Sequence, residues 1–154
     1  MFAKGSFPVL LVAHLDTVHE NLPTEIIEEN GTLSSPQGIG GDDRCGVYMI
    51  FEVIKKFDCS VLFCEDEELG SIGAKKFVKS NASNNLDFNY IIEFDRKGSI
   101  DAVFYKCKNK EFEDFITSDY FKTNIGTGSL FATLLHVLIA LQLTFLADTT
   151  LCTL

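Results

Sequence analysis

Apolar and polar positions fall along this chain in blocks of two different periods. From Pro8 to Asp16, "PVLLVAHLD" is an almost unbroken apolar run, the pattern of a strand covered on both faces. "GVYMIFEVIKKF", Gly46 to Phe57, changes period: Val47, Ile50, Phe51 and Ile54 stand at helical spacing, and Lys55 and Lys56 lie near the C-terminus, where the helix dipole favours cations. "CSVLFC", Cys59 to Cys64, predicts a second buried strand, and "GAKKFVKS", Gly73 to Ser80, a short helix. "NASNN" is a polar loop, "NYIIEFD", Asn89 to Asp95, a third strand, and "SIDAVFYKC", Ser99 to Cys107, a fourth, followed by a helix from Glu111 to Phe121. Strands and helices in alternation predict an α/β fold, three layers deep, with helices about an open, mostly parallel or mixed sheet. In such sheets ligands gather beyond the carboxyl ends of the strands.

Composition narrows the class. At 154 residues and 46% hydrophobic content the chain can build one domain with a real core. Thirteen basic against 22 acidic residues leave a net charge of -9, which repels nucleic acid and anionic membranes. The one basic cluster, Lys106 to Lys110, is interrupted and is followed at once by Glu111, Glu113 and Asp114, so no nucleic-acid partner is expected. Five cysteines, an odd number without CxxC spacing, lie largely in apolar runs and point to a reducing, cytoplasmic setting. The N-terminal apolar stretch is closed by Asp16 without a small-residue cleavage site, and reads as a buried strand, not a signal peptide.

The strand ends then become a roster of candidate groups. The first strand ends in His14 and Asp16, the second runs into Glu65, Asp66, Glu67 and Glu68, and the third ends in Glu93 and Asp95. "GIGGDDRCG", Gly38 to Gly46, places Asp42 and Asp43 at a glycine-rich turn before the first helix. Singly, each has a plain structural reading: a strand-end histidine, a helix N-cap, a solvated acidic run. A phosphate loop is excluded, because two carboxylates stand where the anion would lie and no Lys follows the glycines. Together, one His and several carboxylates at one sheet edge repel one another unless divalent cations are present.

Four ordered stretches also carry a resemblance. "AHLDTV", "GIGGDDRCGV", "CEDEELGSIGA" and "IIEFDRKG" resemble the co-catalytic zinc exopeptidases, the group that includes peptidase T and related aminopeptidases and deacylases, over residues 8 to 105. The resemblance implies a zinc-exopeptidase-like catalytic domain, incomplete here, that hydrolyses peptide or amide bonds near a chain end in peptide or aminoacyl substrates. It implies two divalent metal ions, zinc first, with cobalt or manganese suiting the same donors. His14 would ligate one ion, Asp43 would bridge both, Glu68 would bind the second, and Asp95 would complete the first. Asp43 is preferred to Asp42 on register, since the family's bridging residue follows Gly, a small residue and one variable position. Glu67 would be the general base, and Asp16 would orient the His14 imidazole. "DDRCG" and "EFDR" look most like the aminopeptidase variants of these motifs.

The tail departs from the pattern. The family needs a last His to complete the second metal, and the only later one, His136, lies in a stretch, residues 129 to 147, without any charge. Such a run reads as a membrane helix, which would make the chain a tethered binding module, or as a core helix. A third reading is a frameshift near Gly128 to Leu130: shifted by one base, codons for Leu143 to Leu154 can encode Asn-Leu-Ser-x-Gly-Tyr-Tyr-x-x-His-Thr, similar to the family's terminal segment. The expected organisation is therefore a partial catalytic domain, 1–128, and an out-of-frame apolar tail, 129–154. A non-catalytic metal-binding module is the competing expectation.

Overall fold

Residues Phe7–His14 form the central strand, β2, and Val9 to His14 are all buried, as an apolar run without alternation demands. A computed structural model of the chain describes residues 1–83, 88–95, 101–105, 110–119, 122–124 and 140–143. Around β2 lie β1 (Phe2–Ala3), the hairpin β3 (Ile27–Glu29) and β4 (Thr32–Ser34), α1 (Gly41–Ile54), β5 (Cys59–Cys64) and α2 (Ile72–Lys79). A short 3-10 turn (Asn81–Ser83), β6 (Tyr90–Glu93), β7 (Asp101–Tyr105), α3 (Lys110–Asp119), β8 (Lys122–Asn124) and β9 (Ala140–Leu143) follow. Seven strands make one mixed sheet in the order β1-β5-β2-β6-β9-β7-β8.

Strand β2 runs parallel to both neighbours, pairing His14 with Cys64 and Val12 with Glu93. That register brings the carboxyl ends of β2, β5 and β6 to one edge. The β2–β5 ladder slips between Phe7 and Leu10, where Pro8 has no N–H to contribute. Successive side chains of β2 then face opposite layers. Val9, Leu11 and Ala13 pack with Ile50 of α1, while Leu10 and Val12 pack with Ala74 of α2. The helices thus cover both faces, giving the three layers the sequence predicts. Burying a side chain such as Ile50 contributes about 1.5–3 kcal/mol, so these two clusters hold the edge in place.

Several elements differ from expectation. The hairpin β3–β4 went unread, although Asn30 and Gly31 turn it with φ of 53° and 77°, the left-handed pair that suits a tight hairpin. Helix α1 begins earlier than Gly46, and its opening residues are irregular: the Asp42–Asp43 peptide is cis and neither residue holds helical angles. Part of the uncharged tail, Ala140–Leu143, is extended and inserted between β6 and β7 instead of helical. The remainder of 129–147, with His136, lies outside the described residues. Among the described residues no helix is long and apolar enough to cross a membrane.

Candidate metal centre

The last residue of β2, His14, is 3% exposed, and its two ring nitrogens have different partners. Nδ1 lies 3.0 Å from the main-chain carbonyl of Asp16, which can only accept, so the proton sits on Nδ1 and Nε2 faces the acids. Nε2 is 3.1 Å from Asp42 Oδ1 and 3.7 Å from Asp95 Oδ1. The Asp16 carboxylate stands 3.5 Å from Nδ1. Orientation of the ring therefore comes foremost from the backbone of Asp16, with its side chain second.

The two adjacent aspartates are used differently. Asp43 is 4% exposed, and its oxygens accept the backbone N–H groups of His14 and Gly46, both at 3.1 Å. That carboxylate ties the start of α1 to the end of β2. Asp42, exposed, is the member of the pair that reaches His14 and Asp95. The structure thus brings together two of the expected ligands, His14 and Asp95, with Asp42 where register favours Asp43. Residue type could not separate the neighbours; the signal lay in which backbone amides needed an acceptor. Gly40, at φ 64°, makes the sharp entry to this loop, and Gly46 lets it close, since a Cβ there would overlap Asp43 Oδ1 and the Phe94 carbonyl oxygen.

After β5 the chain leaves the sheet at once, which frees the acidic run from strand alternation. The amides of Glu67 and Glu68 each donate to the Asp16 carboxylate at 3.0 Å. The carbonyls of Glu65 and Asp66 accept from Gly73 and Ile72, so the first two acids build the turn into α2. Glu67 Oε1 accepts the Ser71 hydroxyl at 3.1 Å. Glu68 is exposed and lies outside the three-residue cluster, close enough for the charges of Asp42 and His14 to act on it. Ser71 and Glu93, 2% and 8% exposed, are buried polar groups of this edge; Glu93 stood among the strand-end candidates, whereas Ser71 had no sequence signal beyond preceding a helix.

Charge is concentrated here. Burial opposes protonation of His14, but the Asp95 carboxylate, with the charges of Asp43 and Asp42, outweighs it and pushes the imidazole up to about 10. Burial, then the charge of Asp95, raises Asp43 to about 8, and Asp42 is raised by the same causes. Burial, with Asp95 and Glu67 nearby, raises Glu93 to about 8. Burial works against ionising Asp16, yet the amides of Glu67 and Glu68 win and hold it below its usual value. Without a cation, then, the cluster keeps protons that carboxylates at neutral pH would release.

These residues fit a divalent metal ion. One imidazole nitrogen and two carboxylate oxygens from His14, Asp42 and Asp95 all lie within 4.8 Å of one another. Ligand atoms of a tetrahedral zinc with bonds of about 2.0–2.1 Å stand about 3.3 Å apart, and the distances of 3.1 and 3.7 Å from Nε2 bracket that value. Nδ1 is held by a carbonyl, which leaves Nε2 as the nitrogen that would take the ion in exchange for its proton.

Comparison with known proteins gives the family. The profile of peptidase family M28 matches residues 3–129, and the chain belongs to that family, in keeping with the resemblance to the co-catalytic zinc exopeptidases. Among solved structures it is similar to a tripeptidase from Staphylococcus aureus subsp. aureus Mu50, at 24% identity and a TM-score of 0.51, over 66% of this chain and 30% of that one. It is also similar to aminopeptidase PepT from Bacillus cereus ATCC 10987, at 20% identity and a TM-score of 0.48, over 67% of this chain and 31% of that one. The first likeness bears on the fold, and the chain spans about a third of the length of either structure. No curated protein sequence matches the chain.

Proposed function

We propose that this chain carries the metal-binding part of an exopeptidase that hydrolyses a peptide or amide bond near a chain end, an aminopeptidase being favoured. The observation that carries the reading is the convergence of His14 Nε2, Asp42 Oδ1 and Asp95 Oδ1 at the edge where Glu67 and Glu68 are also held. His14 and Asp95, with Asp42, would hold one ion, zinc first and cobalt or manganese next, and Glu68 would serve a second. When bound, the two ions supply Lewis acidity towards the scissile carbonyl and lower the pKa of water.

The chain's own residues do the rest. Glu67 takes a proton from the attacking water and passes it to the departing amine, work suited to a carboxylate that is hydrogen-bonded and not spent as a ligand. Asp16 fixes the turn that carries Glu67, and its carbonyl holds the His14 ring. Asp43 fixes the loop that carries Asp42. Asp42 is exposed, so the centre is open on the side where substrate must enter.

Among the described residues the second ion's last histidine has no counterpart, and His136 lies outside them. The family match ends at residue 129, beside the suggested frame change near Gly128 to Leu130. We therefore infer a chain impaired in turnover but competent to hold the first ion. Metal titration of the full chain with Zn2+ and Co2+, followed by assays on di- and tripeptides with and without chelator, tests this. One tight site with weak, chelator-sensitive release of a terminal residue is expected; no metal binding overturns the reading, and tight binding without turnover leaves a non-catalytic module. The nucleotide sequence across residues 120 to 154 tests the frame separately, and an alternative frame lacking a His-Thr codon pair overturns that part.

A further inference from the structure

Ser71 is buried at the centre, 2% exposed, and has no task in the chemistry above. It occupies the N-cap position of α2, where a serine hydroxyl ordinarily accepts a bond from a free amide of the first turn. Ser71 makes no such bond. Its backbone lies in the left-handed region, φ 56° and ψ 42°, which residues with a Cβ occupy sparingly. In that conformation its hydroxyl donates to Glu67 Oε1 at 3.1 Å and its N–H donates to the Glu67 carbonyl at 2.7 Å. Glycine would fill a left-handed position with less strain, so a bare turn does not account for a side chain here. The hydroxyl is turned away from its own helix and onto the acid. Among the described residues, Glu67 Oε2 accepts no hydrogen bond.

We propose that Ser71 is a positioning residue for Glu67: its hydroxyl pins one carboxylate oxygen and leaves the other to exchange a proton with water. The inference rests on Glu67 as the general base and assigns the group that aims it. Catalysis by a positioned carboxylate depends on its placement to within an ångström or less, and a glutamate with three side-chain torsions needs a second point of attachment to meet that demand.

The test uses Ser71→Gly and Ser71→Ala in the full chain. Both remove the hydroxyl, but only glycine is free of left-handed strain. Crystal structures of the parent and Ser71→Gly are expected to show the Glu67 carboxylate fixed in the first and displaced or split between rotamers in the second. With metal and tripeptide, kcat falls about 10- to 100-fold in both Ser71→Gly and Ser71→Ala, while KM and Co2+ affinity hold. Thermal stability should rank differently from kcat, with Ser71→Gly above Ser71→Ala. A Glu67 carboxylate unmoved in Ser71→Gly, or a kcat lost in Ser71→Ala and retained in Ser71→Gly, overturns the proposal. If the parent itself shows no chelator-sensitive turnover, the exopeptidase reading is what fails, and the Glu67 rotamer alone decides the role of Ser71.

Discussion

Asp42–Asp43 and Glu67–Glu68 are both pairs of adjacent acids at one sheet edge, and the fold separates their members by opposite means. In the first pair a side chain is consumed: Asp43 satisfies two backbone amides and leaves Asp42 to the cluster. In the second pair the backbone is consumed: both amides are held by Asp16, while the Glu67 carboxylate is tied to Ser71 and Glu68 is exposed. An acid's role at such an edge is set by what the neighbouring peptide groups lack, and not by its place in the motif.

The largest expected effect strikes the first pair. Asp43→Ala orphans the buried amides of His14 and Gly46, at about 1–3 kcal/mol each, so urea unfolding should show a loss of about 2–6 kcal/mol. Asp42→Ala relieves repulsion and should leave metal-free stability level or higher; equal losses in the two variants would erase the distinction. Metal affinity should invert the order. Asp42→Ala loses a ligand, and its fall in Zn2+ affinity by calorimetry should exceed the about 10- to 100-fold that follows loss of a residue supporting a ligand.

Protonation sharpens the same contrast. The folded values of Asp43 and Glu93, about 8, lie above their ordinary 3.8 and 4.5, so the folded chain keeps protons that the unfolded chain has released. Stability in chelator is then greatest in mild acid and declines as pH rises from those ordinary values through about 8. His14, raised from 6.5 to about 10, extends the decline upwards, because the stability from its charged form is full below 6.5 and lost through 10. Each proton contributes at most about 1.4 kcal/mol per pH unit. Denaturation midpoints from pH 4 to 9 check the sign, and a midpoint rising across that range would contradict it. The smallest effect belongs to the second pair. Asp16→Asn keeps one acceptor oxygen, so the amides of Glu67 and Glu68 should exchange hydrogen about 10-fold faster, read by mass spectrometry against unchanged exchange in β2.

The buried strands β2, β5 and β6 and the helices α1 and α2 were legible because continuous apolar runs and helical spacing reflect burial directly. The candidate edge was legible for the same reason, since parallel strands of known direction place their ends together. That Asp42, and not Asp43, lies with His14 and Asp95 was not, because it depends on which peptide N–H groups point inward, a property of backbone path. Ser71 was hidden similarly: a serine before a helix signals a cap, and only its left-handed angles reveal the diverted hydroxyl. At Ala140–Leu143 the apolar run failed as a guide, because length and hydropathy alone do not separate a helix from a strand slotted between two others.

Gly46 adds a consequence of another kind. Where α1 meets the end of β6, bare backbone touches an acid and a carbonyl oxygen, and no rotamer stands between them to absorb a change. The acidic run has spare members, and a drifting copy of the gene could exchange several of them before the centre failed. At Gly46 any replacement spreads the gap between helix and strand. Its codon therefore gauges, beside those of Asp42, Asp43 and Asp95, whether selection still maintains this centre.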